Sequence, residues 1–227
     1  MANEDLPAPS ADVSDRTRSI VKVAISAAPV IGGPAAELFE LVVPSSLERR
    51  RQAWFERVAD RLRALEDRKV DLSGLADDEG FITVLIEASK AALGTHLEEK
   101  LDLLANCVES AALPSDRDDF LAMRLLAYVE ELSPEHFVVL TYLASPGNWY
   151  DRRGLDRPTG VMGPRRNHLD RAGTGVEGEE LTIVLEDLQR LGLANSSGLS
   201  GMVSESAQMD PLITERGRLL LDWVQLV

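Results

Sequence analysis

Apolar residues recur along most of this chain at helical spacing. Leu97, Leu101, Leu104, Ala105, Val108 and Ala112 fall three and four apart, the period of one helix face, between Thr95 as a plausible N-cap and Pro114 as a stop. Upstream, Leu47, Trp54, Phe55, Val58, Leu62 and Leu65 repeat in the same way. Pro44 and a capping box of Ser45 and Glu48 open that helix, which should run to about Arg68. Phe81 starts another helix that Gly94 ends, and Asp116 caps one carrying Phe120, Met123, Leu126 and Val129. Ser133, with Pro134 at the first helical position, begins a helix over about Glu135 to Ala144. The segment 150–178 is rich in Gly, Pro, Arg and Asp and has no clear period, so it reads as an unusually long connection.

The end of the chain is more specific. Leu181, Leu185, Leu188 and Leu191 mark an amphipathic helix that stops at Gly192, and a short strand begins at Leu193. After small residues over 196–208, "PLITERGRLLLDWV" reads as a second strand and a helix capped by Thr214. Helix, helix, strand, turn, strand, helix is the order of a winged helix. The expected fold class is therefore mainly α: a flexible tail (1–18), an N-terminal helical bundle (19–132) and a C-terminal winged-helix domain (133–227) carrying the long loop 150–178.

The most apolar stretch, 24–43, has the length of a membrane span, but Pro29, Gly32, Gly33 and Pro34 cut it into pieces too short to cross. It predicts a helical hairpin. In its second arm Glu37 and Glu40 share a face and leave Leu38, Phe39, Leu41 and Val42 to pack. Burial against the protein itself is the first reading; a subunit contact or shallow membrane insertion is the alternative.

Composition changes this picture in three places. The 227 residues are 44% hydrophobic and 27% charged with 5% aromatic, the profile of an ordinary helical globular protein. A net charge of -14 repels phosphate backbones, so nucleic-acid binding is disfavoured unless cations gather on one face. The lone Cys107, set between Leu104 and Val108, excludes an internal disulfide and reads as a buried thiol in a reducing compartment. Glu4, Asp5, Asp12 and Asp15 stand where an export signal needs a basic start and an apolar run, so a cytoplasmic location is expected.

No motif carries catalysis. His96, His136 and His168 lie apart without metal-ligand spacing, "GGP" lacks the Lys and Ser/Thr of a phosphate-binding loop, and "SGLSGM" sits in the expected wing and not at a strand-to-helix elbow. A non-enzymatic protein with no cofactor, no metal and no small-molecule substrate is expected. Two local concentrations of positive charge remain. Arg49, Arg50, Arg51, Arg57, Arg61, Arg63, Arg68 and Lys69 read as a solvated helix face. Arg152, Arg153, Arg157, Arg165, Arg166 and Arg171 form the candidate patch for an anion or partner, diluted by Asp151, Asp156 and Asp170.

The expected recognition helix offers Glu179, Glu180, Glu186 and Asp187 against Arg190, and no basic residue lies between Asn195 and Glu215. A winged helix reads DNA with cations on its third helix and wing. This one is expected to meet a protein partner or a second copy instead; a DNA-binding regulator and a membrane-active effector are the alternatives.

"FITVLIEASKAALGTHLEEKLDLLANCVESA" and "LLAYVEELSPEHFVVLTYLASP", with "APVIGGPAAELFELVVPSSLERRRQAWFERVADRL" before them, resemble an uncharacterised bacterial family of helical and winged-helix proteins, and more distantly the abortive-infection alpha group. The resemblance covers most of the chain beyond about Ile20. It implies an association with phage defence and supplies no catalytic residue.

Overall fold

The computed structural model describes residues 34–113, 119–157, 163–199, 201–204 and 207–226, with side chains from residue 46 onward. The tail 1–18, the first arm of the 24–43 hairpin and the expected cap Asp116 lie outside the described residues, as do the side chains of Leu38, Phe39, Leu41 and Val42. The fold is mainly helical. No helix among the described residues is long and apolar enough to cross a membrane.

Helix α1, Pro34–Asp67, runs unbroken through Pro44, where the sequence suggested a stop and a fresh start. Proline's fixed φ is already helical, so the backbone passes through Pro44 at the loss of one ladder bond, that of its missing N–H. Helix α2, Glu79–Gly94, is capped by Asp78, whose Oδ1 accepts from the Phe81 N–H at 2.9 Å.

Helix α3, Glu98–Ala112, starts later than expected. Thr95 does not cap it; its N–H bonds back to Ala92 O and ends α2. Leu97 consequently precedes the helix, outside the buried stripe, and stays 40% exposed, while Leu104, Ala105, Cys107, Val108 and Ala112 are buried.

In α4, Asp119–Glu131, Phe120 is 79% exposed and not inward. At about 100° per residue, its nine-residue separation from buried Val129 places it on the opposite side of the helix.

Helix α5, Pro134–Ala144, begins at Ser133 with its capping box closed by His136. The connection expected to lack structure holds several short elements: α6, Pro146–Arg153, β1, Gly163–Pro164, and α7, Arg166–Leu169. Two aromatics organise it. Trp149 Nε1 donates to Ala172 O and Tyr150 Oη to His168 O, both at 2.7 Å, so the segment folds back onto its own helix. One or two turns are too short to show a period.

Helix α8, Gly178–Arg190, buries Leu181, Val184, Leu185 and Leu188, each a contribution of about 1.5–3 kcal/mol. Gly192 ends it at φ +66°, a left-handed conformation that glycine adopts without strain. Ala194 then bridges Ile213 antiparallel, and β1 pairs with β2, Met202–Val203. Helix α9, Glu215–Trp223, is capped by Thr214 Oγ1, which accepts from the Gly217 N–H at 3.1 Å. A Cβ at Gly217 would meet Leu193 O at 2.2 Å, so the bridge and α9 approach as closely as glycine permits.

The buried side chains form one cluster from Trp54 to Val224. Helix α3 joins its halves by finishing its neighbours. Lys100 donates to the last carbonyls of α4, while Asn106 Nδ2 and Ser110 Oγ donate to Val224 O and Trp223 O at 2.8 and 2.7 Å at the end of α9. Helix carboxyl ends lack internal donors, and α3 supplies them. The arginines read as a solvated face also turn partly inward. Arg57 and Arg61 meet Asp102, and Arg68 meets the buried Glu109 at 2.5 Å, lacing α1 to α3.

Candidate functional site

Helix α8 turns its leucines inward and presents Glu179, Glu180, Ile183 and Glu186 outward, with Ile183 52% exposed. Its one cation is neutralised locally: Arg190 Nη2 donates to Glu131 Oε1 at 2.7 Å and to Asp187 Oδ1 at 2.9 Å. Arg190, with a smaller part from His136, holds the Asp187 carboxyl below the usual carboxylate range. The outward field of α8 is therefore negative, with an isoleucine at its centre. In β2, beyond it, Met202 is 67% exposed.

The six loop arginines divide into those with partners and those without. Arg157 is gripped by both carboxylate oxygens of Asp151. Arg165 donates to Ala207 O and lies 3.4 Å from Asp210 Oδ2, and Arg166 meets Asp170 and Thr182 at 3.3 Å. Arg171 is exposed. Arg152 and Arg153, on α6, line a cleft of about 590 Å³. Its other walls are the end of α5 and α9, which adds Arg218 and Asp222. The Arg153 guanidinium carbon lies 3.3 Å from the Trp149 ring centroid. Nothing local in the sequence links Arg218 to a segment more than sixty residues earlier; only the fold brings them together.

A second constellation was equally unreadable. Ser133 Oγ lies 2.9 Å from His136 Nδ1, and His136 Nε2 lies 3.4 Å from Asp187 Oδ2. Serine, imidazole and carboxylate in this order outline a hydrolase relay. Here Nδ1 also accepts from the Ser133 backbone N–H at 3.2 Å, so the serine and histidine form the N-cap of α5 and Asp187 ties that cap to α8. None of the three lines either described cleft. Of the other histidines, His96 is exposed, and His168 is buried, which together with nearby Arg171 lowers its pKa. A smaller cleft, about 340 Å³, is lined by Asp71, Asp78 and Asp119 beside Phe81 and Trp223. No group of three His, Cys, Asp or Glu residues among the described residues is placed to hold a metal ion.

No family model, no curated protein and no solved structure matches the chain.

Proposed function

We propose that this chain is a non-enzymatic interaction or regulatory protein of the cytoplasm whose C-terminal half, built as a winged helix, binds a basic surface of a partner protein through the outward face of α8. Support for the winged-helix reading is the order α5, α6, β1, α7, α8, then the antiparallel bridge of Ala194 with Ile213, whose intervening segment would be the wing, and α9 after it. The observation that carries the functional reading is the sequestered Arg190 on a face otherwise bearing Glu179, Glu180 and Glu186 around exposed Ile183. A third helix of this charge repels the duplex it would have to enter, whereas an apolar residue ringed by carboxylates suits a basic polypeptide. The likeness to the abortive-infection alpha group suggests phage defence as the setting. Self-association through exposed apolar helix faces is the rival protein contact.

Capture from lysate of the producing cells tests this with the full chain as bait, wild type against Ile183→Asp and Glu186→Lys. Proteins retained by wild type and lost from both variants support the reading. Identical retention by all three contradicts it, and light scattering that shows dimers lost in the same variants assigns the face to a second copy.

A further inference from the structure

The described arginines are mostly satisfied within the fold. Those of α1 that face α3, together with Arg157, Arg165, Arg166 and Arg190, each meet a carboxylate. The cleft between α6 and α9 breaks this pattern. Arg152 reaches it from α6 and Arg218 from α9, and neither has a carboxylate partner among the described residues. Arg153, over Trp149, adds a third guanidinium. Against these three cations stands one carboxylate, Asp222, which does not pair with Arg218 although it lies one turn further along the same helix. Like charges gathered in this way repel one another. In a chain of net charge -14 they form a local positive well.

The chemistry of the walls narrows what fills it. Guanidinium forks match phosphate oxygens two at a time, and Arg152 and Arg218 supply two such forks from two different helices. Arg153 stacked on Trp149 offers a flat cationic face of the kind on which planar rings stack. Asp222 accepts hydrogen bonds from hydroxyls and discourages a second anionic group beside it. Ser145 and Asn148 add neutral polar groups, and Pro211 and Leu221 add apolar surface. A cleft of about 590 Å³ has the size of a small-molecule site. We propose that it binds a nucleotide-sized organic phosphate, with the phosphate between Arg152 and Arg218, a planar base over Arg153 and sugar hydroxyls toward Asp222. This adds a small-molecule input to the protein and does not depend on the role of α8.

Calorimetric titration of the full chain with adenosine monophosphate, at low ionic strength and near-neutral pH, tests it. Binding at one site is expected, weakened about tenfold or more by Arg152→Ala and by Arg218→Ala. Both side chains are exposed and have no carboxylate partner among the described residues, so the thermal midpoints should not move. Arg63→Ala, an exposed α1 arginine paired with Asp60, should bind as wild type does. Inorganic phosphate, adenosine and succinate should each bind at least about tenfold more weakly than the nucleotide. No heat at millimolar nucleotide, or undiminished affinity in both cleft variants, overturns the proposal. Phosphate alone binding as tightly as the nucleotide also overturns it, since the ring and sugar contacts are then absent.

Discussion

Replacing Lys100 by methionine probes the capping role of α3. The residue is 9% exposed, and its ammonium donates to the carbonyls of Val129 and Leu132 and, at 3.2 Å, to that of Glu130. Methionine is unbranched, keeps most of the length and bulk of the aliphatic stem, and removes every donor. Glu130 is exposed, so water replaces the ammonium at its carbonyl; Val129 and Leu132 are buried, and theirs lose their partner. A buried carbonyl left unsatisfied costs about 1–3 kcal/mol. Against that, the variant recovers the dehydration of the ammonium, the same burial that lowers the Lys100 pKa from its ordinary value. The expected net loss is about 2–3 kcal/mol, which in a chain of this size lowers the melting midpoint by roughly 4–12 °C. Urea titrations of both proteins supply the free energies, and calorimetry the midpoints. The pH dependence carries a second sign. Folding depresses this pKa, so below the ordinary lysine range the unfolded chain holds a proton that the native one releases more readily, and wild type gains on the variant as pH rises. A Lys100→Met protein as stable as wild type, or more so, would show that the ammonium is a net cost and that α4 needs no cap from α3.

Three further outcomes follow from the geometry. Burial pushes the Cys107 thiol up to about 12, so a thiol-specific disulfide reagent should react only after denaturant unfolds the chain; prompt labelling of native protein contradicts the packing of α3. Gly192→Ala places a Cβ in the left-handed region and 2.9 Å from Arg216 Nη1, at a cost of about 1–2 kcal/mol by urea titration; a neutral substitution refutes the tight turn after α8. Arg190 first, and His136 after it, hold Asp187 below the usual carboxylate range. Its contribution is present above the ordinary aspartate value and lost as pH falls through the lowered one. Asp187→Asn should therefore flatten the acid limb of the stability curve, and parallel limbs in the two proteins contradict the pairing.

Helices with long apolar seams were legible because a repeat of three and four residues survives any tertiary arrangement; Trp54 to Leu65 and Leu181 to Leu188 are buried as that repeat requires. Boundaries set by single residues were less so. Pro44 does not end α1, because its fixed φ is itself helical, and Thr95 does not start α3, because its N–H closes α2 on Ala92 O. Phe120, an apolar residue in the first turn of α4, lies off the face that buries Val129, so its apolar character alone does not fix its side. The segment after Tyr150 hid α7 because its order comes from Trp149 and Tyr150 bonding to distant carbonyls. The acidic face of α8 could be read from composition, since the exposed positions of an amphipathic helix follow from its buried ones. The cleft could not, because Arg152 and Arg218 meet only through the fold.

The charge of α8 decides between a protein and a nucleic-acid partner. Fluorescence anisotropy of labelled genomic DNA fragments, titrated with the full chain from low to moderate salt, tests it directly. The negative face of α8 predicts no rise at any salt concentration. Retention at low salt that falls steeply as salt is added, with the slope of several neutralised phosphates, and that disappears on substituting residues of α8 would contradict it.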